Sequence, residues 1–309
     1  MAKDKDKKKK KKKFSILEIL ILLIALGVIG YSGYQLYTIY HGYAGAKREY
    51  DGLIDEFVTE ADPYGESSES SEADGGSEGG GGTIEYTDAD AYNAVDANNV
   101  EDEGGEEPDA AEQAASLPAA HGKLKVDFAG LKAINSDIVG WITVDGVPNI
   151  NYPVCQAANN DYYLRISFRR ESWPPGAIFM DYRNYSDYSS ACTIIYGHRM
   201  DDNSMFGGLY NLKDQANVNA NPYIWIYTPT GTKCYQIFAV AEVDMYSDIF
   251  AIHNDNDEAF VAWAQKLKSM SVVSTSVDVG LGDKTIMLST CTTDRVHRVV
   301  VGAKLVAES

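Results

Sequence analysis

Three side chains with reactive chemistry stand at the ends of β-prone runs. Thr285-Ile-Met-Leu-Ser-Thr-Cys291 closes on a thiol. A polar stretch follows from Thr292 to His297, and Arg298 opens the next run, Val299-Val-Val301. If the two runs pair as a hairpin, Cys291 and Arg298 become neighbours at one end of a sheet. A guanidinium beside a thiol favours the thiolate, the form that attacks carbonyl carbon, and it can hold a developing oxyanion. That chemistry also needs a proton carrier. Ala191-Cys-Thr-Ile-Ile-Tyr-Gly-His198 supplies one at the end of another apolar run, and His198 can serve a leaving amine as acid and an entering one as base. Two rivals stand nearby. His297 adjoins Arg298 on one strand and should face the opposite side, and Arg295 competes for the arginine role. No pair of cysteines or histidines has metal-ligand spacing, so neither metal nor cofactor is expected.

The elements that must hold these residues are mostly short strands. Candidates are Gly140–Val144, Ile150–Val154, Ala177–Met180, Thr193–Gly197, Tyr223–Thr228, Lys233–Met245, Thr285–Thr290 and Val299–Val306. Asp145-Gly146 and Thr228-Pro-Thr-Gly231 read as turns. Short strands with polar turns predict a closed or nearly closed barrel. A short helix is expected over Lys125–Ile134, with Leu124, Phe128 and Leu131 on one face. A longer helix over Asp257–Met270 carries Phe260, Trp263, Leu267 and Met270 at helical spacing. Its apolar stripe is expected to pack on the barrel, and its place before the cysteine strand could also let it wall a substrate groove. Cys155, Cys192 and Cys234 are read as buried free thiols.

The formal charge of −18 divides unevenly along the chain. Residues 1–48 sum to +8, residues 49–117 to −22 with no Lys or Arg, and residues 118–309 to −4. Lys7 to Lys13 is an unbroken basic run before a long apolar stretch. Ile19 to Tyr40 would span about 33 Å as a helix, enough to cross a bilayer. The lysines hold the N-terminus in the cytoplasm and leave the remainder outside. A cleaved signal with Ala44-Gly-Ala46 as its site is the alternative, but that site lies far beyond the apolar core. The organisation expected is a Lys-rich cytoplasmic tail (1–15), a transmembrane signal-anchor (16–40), a membrane-proximal stem (41–58), an acidic disordered linker (59–120) and a catalytic domain (121–309). The linker is a spacer that lifts the domain off the membrane. Membrane lipid is a partner through the N-terminal helix. Nucleic acid is not, because no basic surface accompanies the lysine tail.

From about Phe128 to Leu305 the chain resembles class B sortases, cell-wall transpeptidases of Gram-positive bacteria. The resemblance rests on Asn135-Ser-Asp-Ile-Val-Gly-Trp-Ile142, Asn160-Asp-Tyr-Tyr-Leu164, Gly176-Ala-Ile-Phe-Met-Asp-Tyr-Arg-Asn184, Ile194-Ile-Tyr-Gly-His-Arg-Met200, Ser204-Met-Phe-Gly207 and Leu288-Ser-Thr-Cys291, in that order. It implies a mainly β fold with flanking helices, an eight-stranded sortase-type β-barrel, following the N-terminal transmembrane helix. It implies His198, Cys291 and Arg298 as the catalytic trio, and Asn160, Leu164, Ser289 and Thr290 as substrate-binding positions. The implied partners are secreted proteins with a C-terminal sorting signal resembling Asn-Pro-x-Thr-Gly or Asn-Pro-x-Thr-Asn, cut after Thr. The acceptor would be the amine of a peptidoglycan peptide or lipid-linked precursor. A pilin-polymerising sortase is the nearest family alternative, and Asp62-Pro-Tyr64 superficially matches the lid motif of that class. A secreted cysteine peptidase that hydrolyses its thioester, and a silent tethered binding module, are the readings outside it.

Overall fold

Each β-prone run read from the sequence is a strand, and the eight close into one barrel. The computed structural model describes residues 16–60, 124–291 and 296–309. In chain order its elements are helix α1 (Ile16–Phe57), strands β1 (Val58–Glu60) and β2 (Leu124–Val126), and helix α2 (Phe128–Ile134). Strands β3 (Ile138–Val144), β4 (Asn151–Cys155), β5 (Ile178–Met180) and β6 (Cys192–Tyr196) follow. Helix α3 (Gln215–Ala220) precedes strands β7 (Tyr223–Thr228) and β8 (Gly231–Asp244). Helix α4 (Glu258–Ser269) and strands β9 (Thr285–Cys291) and β10 (His297–Glu308) complete the chain. The barrel runs β10-β8-β7-β3-β4-β5-β6-β9 and closes through β9 and β10. Closure pairs every strand of the barrel on both sides, so the barrel itself has no open edge. Two of its pairings, β4 with β5 and β6 with β9, are parallel.

Central strands buried on both faces explain the near-continuous apolar runs. Trp141, Ile142, Val154, Ile178, Ile194, Ile226, Leu288 and Val300 are all fully enclosed. The Asp145-Gly146 turn has Gly146 at φ +71°, a conformation glycine adopts at little cost.

The N-terminal part departs from the sequence reading in two places. Where one helix over Lys125–Ile134 was expected, Leu124–Val126 is a strand and the helix begins only at Phe128. Asp127 caps it, its carboxylate accepting the amides of Ala129 and Gly130 at 3.1 and 3.0 Å. The strand forms because β1 pairs with it antiparallel, Glu60 opposite Leu124, a distant partnership that local periodicity cannot register.

The second difference concerns residues 41–60. The stem residues 41–58 are mostly the continuation of α1, a helix of 42 residues. Its C-terminal turns lie on the barrel, with Tyr50 and Leu53 buried. Thr59 and Glu60 belong to β1. Glu60 and Leu124, which bracket 61–123, are cross-strand partners. The Lys-rich tail, the body of the acidic segment with Asp62-Pro-Tyr64, and Arg295 lie outside the described residues.

Within α1, Leu20–Tyr37 is long and apolar enough to cross a membrane, with none of it buried by the rest of the chain. Helix α4 lies on the barrel flank. Its Phe260, Trp263, Ala264 and Leu267 pack with Phe238, Met287 and Val300, and Asp257 caps its start by accepting the Phe260 amide at 2.9 Å.

Candidate active site

Two strand registers determine which residues meet. β6 and β9 are parallel neighbours with Tyr196 opposite Ser289. Two residues further along each chain lie His198 and Cys291, so both fall at the same end of the barrel. β10 runs antiparallel to β9, and Arg298 is the Cα partner of Cys291. Three adjacent strands therefore bring the expected trio to one rim. His297, the rival histidine, is the first residue of β10 and pairs with Asp244 of β8.

A cavity of about 240 Å³ opens there. Asn160, Asp161 and Leu164 from the β4–β5 connection form one wall, with Phe179 of β5. Tyr196, Gly197 and His198 form the second, and Ser289, Thr290 and Arg298 the third. All four expected substrate-binding positions line it. No residue of α4 does: its apolar stripe packs on the barrel flank, as expected, and the helix does not wall this cavity.

His198 is oriented by a backbone carbonyl. Its Nε2 lies 2.8 Å from the oxygen of Leu164. A carbonyl only accepts, so Nε2 carries the hydrogen, and in the neutral ring Nδ1 is the nitrogen left to exchange a proton. Burial lowers the imidazole pKa, and the nearby charges of Arg165 and Arg298 lower it further, while the Leu164 bond opposes them. Leu164 ends a 3₁₀ turn, Tyr162–Leu164, whose entry is fixed by Asn159 Oδ1 accepting the amides of Asp161 and Tyr162 at 2.9 and 3.0 Å. Arg298 donates through a guanidinium nitrogen to its neighbour's carbonyl, His297 O, at 2.9 Å.

Sequence reasoning missed the group that organises the first wall. Asp181 follows β5 and is fully buried. Its carboxylate accepts Nε and a terminal nitrogen of Arg183 at 2.9 and 2.7 Å, and the Arg183 amide at 3.0 Å. It also accepts Asn160 Nδ2 at 2.9 Å and the Tyr196 hydroxyl at 3.0 Å. Asn160 Oδ1 in turn accepts the Tyr182 amide at 3.0 Å, which fixes which way its amide faces. Burial by itself would raise the Asp181 pKa, but Arg183 and the other donors outweigh it and hold the group below its ordinary value. The available signal was an aspartate directly after an all-apolar strand, in Ile178-Phe-Met-Asp181.

On the third wall Ser289 and Thr290 are both buried. Thr290 Oγ1 has no hydrogen-bond partner among the described residues. The remaining cysteines are free and enclosed as expected. Burial pushes the thiols of Cys192 and Cys234 up to about 12 and that of Cys155 higher still, so they stay protonated and inert.

Comparison with known proteins agrees with this arrangement. A family model described as the sortase domain matches residues 142–306. Sortase B of Listeria monocytogenes is 35% identical over 199 residues, covering 63% of this chain and 80% of that protein. Sortase B of Staphylococcus aureus is 33% identical over 189 residues, covering 60% and 77%. Among solved structures, a Staphylococcus aureus sortase B–substrate complex superposes with a TM-score of 0.54 at 34% identity, covering 58% of this chain and 83% of that one. Clostridium perfringens sortase B gives 0.55 at 30% identity, covering 58% and 99%. The chain belongs to the sortase family. Within that family it is a class B cysteine transpeptidase, of the kind that anchors surface proteins.

Proposed function

We propose that the chain cleaves a C-terminal sorting signal resembling Asn-Pro-x-Thr-Gly or Asn-Pro-x-Thr-Asn after Thr and transfers the upstream protein to a cell-wall amine. The observation that carries this reading is the convergence of His198, Arg298 and the Cys291 end of β9 on one lined cavity. The Cys291 thiolate attacks the Thr carbonyl, and the oxyanion forms beside the Arg298 guanidinium, which never gives up its proton. On collapse the carbon–nitrogen bond breaks, a thioester forms, and imidazolium His198 passes a proton to the departing amine. An incoming primary amine, relieved of a proton by His198, attacks the thioester and expels the thiolate. Asn160, Leu164, Ser289 and Thr290 contact the sorting peptide. A substrate complex is known for the Staphylococcus aureus relative, which supports substrate binding by this fold.

Leu20–Tyr37 is the membrane anchor in this reading. The Lys7–Lys13 run keeps the N-terminus cytoplasmic and the barrel extracellular, where secreted substrates and peptidoglycan or lipid-linked precursor amines are found.

The test is a fluorogenic Asn-Pro-x-Thr-Gly peptide given to the protein with and without an oligoglycine or branched cell-wall peptide amine. Mass spectrometry should show a ligated product ending in Thr joined to the amine, with slow hydrolysis when the amine is left out. Cys291→Ala should give neither product while remaining folded. Rapid hydrolysis with no ligation across a panel of amines would favour the peptidase, and turnover by the alanine variant would remove cysteine catalysis altogether.

A further inference from the structure

We infer that Tyr50, on the part of α1 that docks on the barrel, is a positioning residue for His198. The inference rests on the proposed role of His198 as proton carrier. Two separate connections run from this one side chain to that histidine.

The first reaches the imidazole. The Tyr50 hydroxyl, buried, donates to the carbonyl of Gly176 at 3.1 Å. Gly176 has φ +61° and lies against the carbonyls of Tyr163 and Leu164, where a Cβ would collide with both. The Ala177 amide donates to Tyr163 O at 3.0 Å. Tyr50 thus clamps the strand entry against the turn that presents Leu164 O, the acceptor of His198 Nε2.

The second reaches the main chain of His198. The Tyr50 ring meets Tyr152 edge-to-face, with centroids 4.9 Å apart. The Tyr152 hydroxyl accepts the Met205 amide at 3.0 Å. Met205 pairs with Arg199 across a β-bridge, and the Phe206 amide closes the loop onto His198 O at 2.9 Å. The ring partner of His198 and the loop that follows it therefore both rest on a residue only 13 positions beyond Tyr37, where the candidate span ends. By this arrangement the helix that anchors the enzyme also sets the geometry of its proton carrier.

Tyr50→Phe tests this, because it keeps the ring contact and deletes only the hydroxyl. In the full-length chain in detergent, it should lower kcat about three- to tenfold with KM within twofold, as expected for one lost hydrogen bond. The second readout is the His198 imidazole titration by NMR, its resonance assigned by its absence in His198→Ala. Weakening the Leu164 bond removes the contact that raises this pKa, so the midpoint should move down. The charged and titratable groups around it, Arg165 and Arg298 beside the ring, Asp161 and Tyr196 in the same cavity and Cys291 at the end of the neighbouring strand, are the same in both proteins. Leu53→Ala is the control: Leu53 is buried in the same docked helix segment, and its loss should lower the melting temperature while leaving kcat and the titration alone. Wild-type kcat and titration in Tyr50→Phe, or the same shift in Leu53→Ala, would overturn the inference. Undiminished turnover by His198→Ala would instead overturn the proton-carrier role, and the titration would still decide whether Tyr50 positions the ring.

Discussion

Replacing Asp181 with alanine removes the acceptor of five hydrogen bonds at once, and the cost can be worked from what each donor does next. Arg183 forms the closest contact, at 2.7 Å, but its side chain is 43% exposed and returns to water. Its loss therefore lies well below the ~3–5 kcal/mol typical of stranding one partner of a buried pair. The Tyr196 hydroxyl and the Arg183 amide are only partly buried, so each costs about 1–2 kcal/mol, the lower part of the range for a buried donor left unpaired. Together these give about 2–4 kcal/mol, or a fall in melting temperature of roughly 4–16 °C at about 2–4 °C per kcal/mol for a domain of this size. Function should suffer separately. Asn160 keeps the Tyr182 amide but loses its anchor, so the first wall of the groove loosens. The KM for a sorting peptide should rise about two- to tenfold, the scale of one groove hydrogen bond, with kcat nearly unchanged. Equilibrium denaturation and steady-state kinetics on the same preparation measure both. A variant with wild-type stability and wild-type KM would show that the Asp181 network does not hold the wall. The pH dependence has a definite sign. The folded pKa of Asp181 is depressed, so its contribution is complete above the unfolded value, about 3.9, and fades as pH falls through the lower folded value. The stability gap between wild type and Asp181→Asn should therefore narrow below about pH 4.

His198→Ala should lose at least about 100-fold in rate, the lower scale of general acid–base catalysis, and His297→Ala should stay within about twofold of wild type; exchanged behaviour would place the proton carrier on β10. Excising 61–123 and joining Glu60 to Leu124 by an Asn-Gly turn should preserve both fold and peptide cleavage, because those residues are already cross-strand partners. Failure of that shortened chain to fold, read by circular dichroism and thermal melting, would show that the acidic segment is part of the folded unit.

The strands were legible because closing the barrel buries most of each of them, so their apolar runs are local and continuous. That Cys291, His198 and Arg298 share one rim was legible for a related reason: each punctuates such a run, and strand ends cluster when strands pair. Composition and periodicity also located the candidate span and the apolar stripe of α4. The stripe was expected on the barrel, and the tertiary structure named its partners there, Phe238 and Val300, and showed that α4 does not reach the cavity. The β1–β2 ribbon was invisible in the sequence, since Val58–Glu60 and Leu124–Val126 are too short to show a period and become strands only by finding each other. That one pairing brings Glu60 and Leu124 side by side although 63 residues separate them in the chain. Asp181 and Tyr50 look ordinary in the sequence, an aspartate after a strand and a tyrosine among many. Their roles come from contacts across 15 to 126 residues of chain, and such distances are closed by the fold, not by any local pattern.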